Sequence, residues 1–422
     1  MIDWKTIDNG LLDPNFYVGT DYHAAFTQMR DEDPVRWVRD ERYGKDYWAI
    51  TRHEDVSEVL KNAHDFSSRW NSRIPLTPKR VTPEERHKRG VDVRITELDF
   101  PMHDLYRRPI NKHFTVPQIE KMRQGIEQMV DDIIDSIAAK GECDLVEDIA
   151  AALPTRVTLE MVGVPKEDWD YITEASWQFM SSGHPRWMID NDPVKTYDLG
   201  QQKLLDYCTK LALDRRENPK DDFATIIGEL EIDGEKLSIH EMKSWFVALI
   251  GGGLETTRNA VAVGMWELMR QPEQRKMLAE NPNLTSSTVE EILRWVTPTK
   301  NKLRIASRDF EFRGKRIKRG DWVGCFLVSA NRDDRVFDNA QEFDIRRDPN
   351  PHLAFGHGPH VCLGRPLARM ELATLVPRVL KAFPDMHTTV TGPAWLADTS
   401  VTGFTELPVA YTPVRVPART RA

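Results

Sequence analysis

The stretch from Ser238 to Arg270 constrains this chain more than any other. Ser238-Ile-His-Glu241 is a capping box that opens a helix, and the apolar helical pattern runs unbroken to Arg270, just before Pro272. At roughly 1.5 Å per residue the helix is about 50 Å long, so it crosses a whole domain and the rest of the chain must pack around it. Gly251, Gly252 and Gly253 stand together in its middle, each costing about 1 kcal/mol relative to alanine, with Glu255, Thr256 and Thr257 directly after them. One reading is a helix crossing at which glycines admit another backbone and Thr256 bonds to its own preceding turn. The other is a locally opened helix against which a ligand or cofactor lies, with an acid and a hydroxyl ready to move protons. The string falls one glycine short of a dinucleotide-binding fingerprint and follows a helical pattern, which argues against that fold.

Helical periodicity dominates from about Val116 to Pro298, and short alternating segments occur at Tyr47–Thr51 and between Arg304 and Phe326. The expectation is a mainly α fold with a minor β region. The 422 residues contain no repeat and no Gly/Ser linker, so one large domain over 1–422 is expected. The charged stretch from Ser68 to Leu98, with Pro75, Pro78 and Pro83, reads as a long loop of functional type. Fifty-eight basic and sixty-six acidic residues leave a net charge of −8, which disfavours a general attraction to nucleic acid or anionic membrane. Cys143, Cys208, Cys325 and Cys362 form no CxxC pair, which fits a reducing, cytoplasmic setting. The start MIDWKTIDNG is unlike a signal peptide, and no apolar run reaches the roughly 18 residues of a membrane anchor.

The most informative segment is Phe355-Gly-His-Gly-Pro-His-Val-Cys362-Leu-Gly-Arg. Gly356, Gly358 and Pro359 make a tight turn, and a helical pattern begins near Leu363. Cys362 therefore precedes a helix N-terminus, where backbone N–H groups and the helix dipole favour a thiolate, the form that binds iron or attacks an electrophile. Gly364 lets the backbone approach a flat cofactor. A buried structural cysteine, a nucleophile and a zinc site with His352, His357 and His360 are the competing readings, although that zinc spacing is too crowded for the usual two-plus-two pattern.

These residues, taken with others along the chain, resemble the cytochrome P450 haem-thiolate monooxygenases of the soluble bacterial type. The FxxGxxxCxG pattern is met by Phe355, Gly358, Cys362 and Gly364, and the helical (A/G)Gx(D/E)T(T/S) pattern by Gly252-Gly253-Leu-Glu255-Thr256-Thr257. ExxR is met by Glu291 and Arg294, and HxxxR by His103 and Arg107 after Asp99-Phe-Pro, all in the family's order. The resemblance implies the P450 fold and haem b, with Cys362 as the iron ligand. It places His103, Arg107, Arg304 and His360 at the propionates, for which arginine's fork is well suited. It further implies that Gly252 and the cysteine-loop glycines flank the macrocycle, that Glu291 and Arg294 form a buried structural pair, and that Thr256 and Glu255 deliver protons during dioxygen activation. A thiolate donates electron density that favours O–O cleavage.

By the same resemblance, electrons come from a ferredoxin and its reductase, docking where Arg107, Arg108, Lys112, Arg365 and Arg369 bracket the two motifs. The substrate is expected to be a small apolar molecule, with a lean toward steroids, terpenoids or fatty acyl chains. Its pocket would draw on Ala248, Leu249, Thr299, Lys300, Val401 and Thr402, and on Trp177, Phe179, Met180, Trp187, Met188 and Phe404. Lys300 stands where relatives carry apolar residues, which suggests contact with a carboxylate or other polar end of the substrate. A peroxide-using or isomerising haem-thiolate enzyme and a nonenzymatic haem sensor are the alternatives, and the acid–threonine pair favours dioxygen chemistry over both.

Overall fold

The computed structural model describes residues 1–39, 46–69, 74 and 82–414. The helices that build the site are α1 (Pro83–Lys88), α2 (Met102–Asn111), α3 (Arg123–Ile137), α4 (Ala152–Val162), α5 (Trp169–Met180), α6 (Pro193–Glu217), α7 (Ile239–Arg270), α8 (Thr285–Val296) and α9 (Arg365–Ala382). α7 is the predicted long helix. Its capping box forms as read, with Ser238 Oγ accepting from the Glu241 N–H and the Glu241 carboxylate accepting from the Ser238 N–H. It packs against α4, α5, α6, α8 and α9, so its central residues are surrounded on most sides. The largest apolar core follows it, joining Phe246, Ile250, Leu254 and Val261 to side chains of the neighbouring helices.

The minor β region is a five-stranded sheet of β1 (Val35–Val38), β2 (Tyr47–Ile50), β3 (Phe66–Ser67), β4 (Asn301–Ala306) and β5 (Trp322–Phe326), in spatial order β1-β2-β5-β4-β3. β5 lies parallel to β2 and antiparallel to β4, with Val323 opposite Arg304. Two smaller apolar clusters cover the sheet.

The stretch read as one long loop holds a helix. Thr82 and Glu85 form a capping box and Pro83 occupies the first turn, so α1 had a start signal in the sequence. Residues 70–73 and 75–81 of that stretch, Pro75 and Pro78 among them, lie outside the described residues, as do 415–422.

Candidate active site

The cysteine loop is built by backbone geometry. The Cys362 N–H donates to the Phe355 carbonyl at 2.9 Å, closing the loop. Gly356 and Gly358 have φ of +70° and +71°, a region that side chains disfavour, and a Cβ on Gly358 would stand 2.5 Å from the Leu60 carbonyl oxygen. Phe355 lies under the Arg369 guanidinium at 4.7 Å. Gly364 caps α9, and a Cβ there would meet nothing within 4 Å. Cys362 is exposed, the only accessible thiol of the four apart from the half-buried Cys143. Surrounding protein still desolvates it, which pushes the thiol pKa up, while the Gly364 N–H and the charges of Lys302, Arg107 and Arg365 pull it down. A cationic partner at the exposed sulfur would favour the thiolate. Cys208 and Cys325 are buried, with pKa values pushed well up by desolvation.

Next to this loop the fold gathers cations. Burial first, then Arg304, His103, Arg107 and Lys302, lowers the His360 pKa to about 2. The His103 and His360 rings lie 4.2 Å apart. His103 is buried with Nδ1 3.2 Å from Asp104 Oδ1, and its Nε2 has no partner. Arg304 is buried and donates to the Leu303 carbonyl, with no carboxylate in salt-bridge range among the described residues. A buried guanidinium without a counter-anion costs several kcal/mol, so this cluster fits a group bearing carboxylates. Arg107 also braces the cysteine loop, its Nη2 donating to the Val361 carbonyl at 2.7 Å. The sequence places Lys302 in the 299–303 stretch read as substrate pocket and not in this cluster, although strand alternation two residues before Arg304 was a signal that could have found it.

The three glycines of α7 divide between the two readings. A Cβ on Gly253 would lie 2.5 Å from Thr158 Oγ1, and one on Gly251 3.3 Å from Met180 Sδ, so these two admit α4 and α5. Gly252 is exposed, and a Cβ there would meet nothing within 4 Å. Ala248, Leu249, Gly252 and Thr256 form one accessible stripe along the helix. The helix stays continuous, and Thr256 Oγ1 donates to the Gly252 carbonyl at 2.9 Å.

Glu255 departs from expectation. Its side chain turns away from that stripe into the interior, where Oε1 accepts from Arg258 at 2.6 Å, from Asn259 at 3.1 Å and from the Ser181 hydroxyl, while Oε2 has no partner. The helical offset of one residue puts it about 100° from Thr256, so the two do not share a face.

Lys300 requires a correction. It is buried, and its ammonium donates to the carbonyls of Asp398, at 2.9 Å, and Val401, above the Tyr17 ring. Desolvation lowers its pKa to about 8. All its reach is spent on holding the 398–402 turn, so it offers nothing to a substrate. Thr402 is buried with its hydroxyl on the Thr297 carbonyl, and Thr299 bridges Val401, which is also buried. Phe404 packs between Trp266 and Trp395 in the core. Trp177 packs at a tilt against Trp187 and lies beside Arg258, while Phe179 packs against Tyr197.

Glu291 and Arg294 form the expected buried pair, joined by two bonds of 2.7 and 2.8 Å. Arg294 also donates to the carbonyls of Asn331, Ala340 and Glu342, and Glu291 accepts from Arg347, Asn350 and the Asp344 N–H. The pair is a hub that clasps α8 to the 331–350 segment leading into the cysteine loop. The histidines do not support zinc beside Cys362: His352 bonds Glu290, and His352, His357 and His360 make no metal-sized group with the thiol among the described residues.

The cytochrome P450 family model matches residues 17–390. A steroid C26-monooxygenase of Mycobacterium tuberculosis is 32% identical, over 96% of this chain and 98% of its own. A methyl-branched lipid omega-hydroxylase of Mycobacterium bovis is 34% identical, over 92% and 90%. The structure of cytochrome P450 PksS of the Bacillus subtilis bacillaene polyketide synthase superposes with a TM-score of 0.83 at 30% identity, over 93% and 98%. No helix among the described residues is long and apolar enough to cross a membrane. A match across most of the chain joins a thiol-bearing loop, a carboxylate-seeking cationic cluster and a bare stripe on a long helix, and the chain belongs to the cytochrome P450 family of haem monooxygenases.

Proposed function

We propose that the chain holds haem b between α7 and the cysteine loop, with Cys362 Sγ as iron ligand, and hydroxylates a small apolar molecule. The carrying observation is the set of buried Arg304 and His103 with the half-buried His360 beside Cys362, cationic in sum and without a carboxylate partner on Arg304. When bound, the haem supplies dioxygen activation, with a thiolate that favours O–O cleavage.

The protein's own part follows from its geometry. Arg304, His103 and His360 bind the propionates, and Arg107 and Lys302 supply positive potential at the thiolate. Gly252 leaves the stripe bare enough for close approach. Thr256 Oγ1 shares its hydrogen with the Gly252 carbonyl and keeps lone pairs free, so it orients a water or ligand beside that carbonyl. Glu255 stands one step behind: Ser181, Arg258 and Asn259 fix Oε1, and the unpartnered Oε2 is the oxygen left to take up and pass on a proton. Ala248 and Leu249 border the substrate.

The relatives named for steroids and methyl-branched lipids support a lean toward a steroid, terpenoid or fatty acyl chain. Electrons arrive from a ferredoxin and ferredoxin reductase. Arg369 is committed to Glu290 and Arg107 to the loop, so Arg108, Lys112 and Arg365, all exposed, form the docking face. Two spectra test the proposal on purified protein. The reduced, carbon-monoxide-treated form shows a thiolate-type Soret band, lost in Cys362→Ser, and a steroid and fatty-acid panel shifts the ferric spin state. A histidine-type band overturns the ligand assignment; a panel without effect overturns the substrate class.

A further inference from the structure

Away from this site, three metal-ligating side chains meet where α1 crosses the first turn of α7. His87 Nδ1 lies 2.7 Å from Asp92 Oδ2, and His240 Nε2 lies 3.0 Å from Asp92 Oδ1. The two imidazole rings stack at 4.1 Å with 26° between their planes. One ligand atom from each residue lies within 4.8 Å of the other two.

The surrounding backbone is set without help from these three side chains. The capping boxes of Thr82–Glu85 and Ser238–Glu241 fix both helix starts. The Val91 N–H bonds the Arg86 carbonyl, and Ser244 Oγ donates to the Gly90 carbonyl at 2.8 Å, tying the turn after α1 to α7. Nearby charges are already engaged: Arg86 faces Glu97, and Glu241 accepts from Ser238 and Tyr106. Two neutral imidazole nitrogens and one carboxylate are a donor set suited to zinc, which prefers four ligands at about 2.0–2.2 Å from nitrogen or oxygen. Such bonds put neighbouring ligand atoms roughly 3.3 Å apart in a tetrahedron, and here the imidazole nitrogens stand 2.7 and 3.0 Å from Asp92 with one ligand atom of each residue within 4.8 Å of the others, a set that small side-chain adjustments bring onto one ion. His87 is largely exposed while Asp92 and His240 are partly so, which opens a path for the ion and leaves the fourth position to water.

We propose that His87, Asp92 and His240 bind one zinc-class divalent ion, which staples α1 and its following turn to the N-terminal end of α7. The site draws on three short segments, so binding restrains the 83–92 strap against the long helix. It is separate from the cysteine loop and independent of which substrate the enzyme takes.

Zinc chloride titrated calorimetrically into the haem-loaded full chain, stripped of metal and free of chelating buffer, tests this. One zinc per chain is expected, weakened at least tenfold in His87→Ala and in His240→Ala, with unchanged haem content in both. Zinc-edge X-ray absorption should show two imidazoles and oxygen with no sulfur. Zinc should also slow amide exchange across residues 83–92 at least fivefold in the parent and not in His240→Ala. Asp92→Asn gives a third reading should either histidine variant lose haem. Equal zinc affinity in parent and variants, sulfur in the shell, or binding only at many weak sites overturns the proposal.

Discussion

Replacing Arg294 by alanine tests whether the buried pair is a structural hub. The side chain is fully buried, so nothing from solvent takes its place. Glu291 keeps Arg347, Asn350 and the Asp344 N–H, yet loses its closest cation, and breaking a buried ion pair costs about 3–5 kcal/mol. The Asn331 and Ala340 carbonyls lose their Arg294 donor, at about 1–3 kcal/mol each, while Glu342 retains Arg347. The total, about 5–11 kcal/mol, rivals the about 5–15 kcal/mol that holds a typical protein folded. The control is Arg123→Ala, which breaks the Arg123–Glu120 pair at the same i,i+3 spacing but in solvent, where screening leaves an ion pair little net worth. Urea unfolding followed by far-ultraviolet circular dichroism compares the two. Arg294→Ala should unfold without denaturant or at a far lower midpoint, and Arg123→Ala should match the parent. Equal midpoints for the two variants would refute the reasoning.

Three further outcomes are expected. Gly253→Ala should destabilise the fold through Thr158, whereas Gly252→Ala should keep parental stability and lose haem affinity; a stable Gly253→Ala in thermal melts contradicts the crossing geometry. Arg304→Leu should fold as well as the parent, because it removes a buried charge, but should release haem faster to apomyoglobin; unchanged transfer would remove Arg304 from the propionates. Burial raises the Glu371 pKa to about 8, against about 4.3 in an unfolded chain, so the folded state retains a proton that unfolding releases. Stability from this group is present below the unfolded value and falls by about 1.4 kcal/mol per pH unit toward pH 8, so Glu371→Gln should gain on the parent between pH 5 and 8 in urea melts; a constant gap over that range would show that Glu371 is charged in the fold.

Some of this molecule is written locally. The ends of α7 follow from the Ser238 capping box and Pro272, because a cap satisfies N–H groups within one turn of itself. The tight cysteine loop follows from the positive φ that Gly356 and Gly358 allow, a local property, although the close approach of the Leu60 carbonyl to Gly358 is a tertiary demand. The same rule marked α1 through Thr82, Pro83 and Glu85, and the prolines and charge around it obscured a signal that was present.

Other assignments depend on what arrives from elsewhere in the chain. Gly251, Gly252 and Gly253 are alike in sequence, and only the approach of Thr158 and Met180 separates the two that admit helices from the one left bare. Lys300 looked like a substrate contact until the 398–402 turn, about a hundred residues away, brought two carbonyls to its ammonium. Arg258 and Asn259 of its own helix are legible neighbours of Glu255, but its burial is completed by the Ser181 hydroxyl from 74 residues earlier, and Lys302 joins the site because β4 carries it with Arg304 beside His360. Periodicity and caps are short-range properties of the backbone, so the sequence alone determined the helices and the thiol loop. The environment of a charge or a bare glycine is set by its nearest atoms, and those belong to distant residues that only the tertiary structure brings into contact.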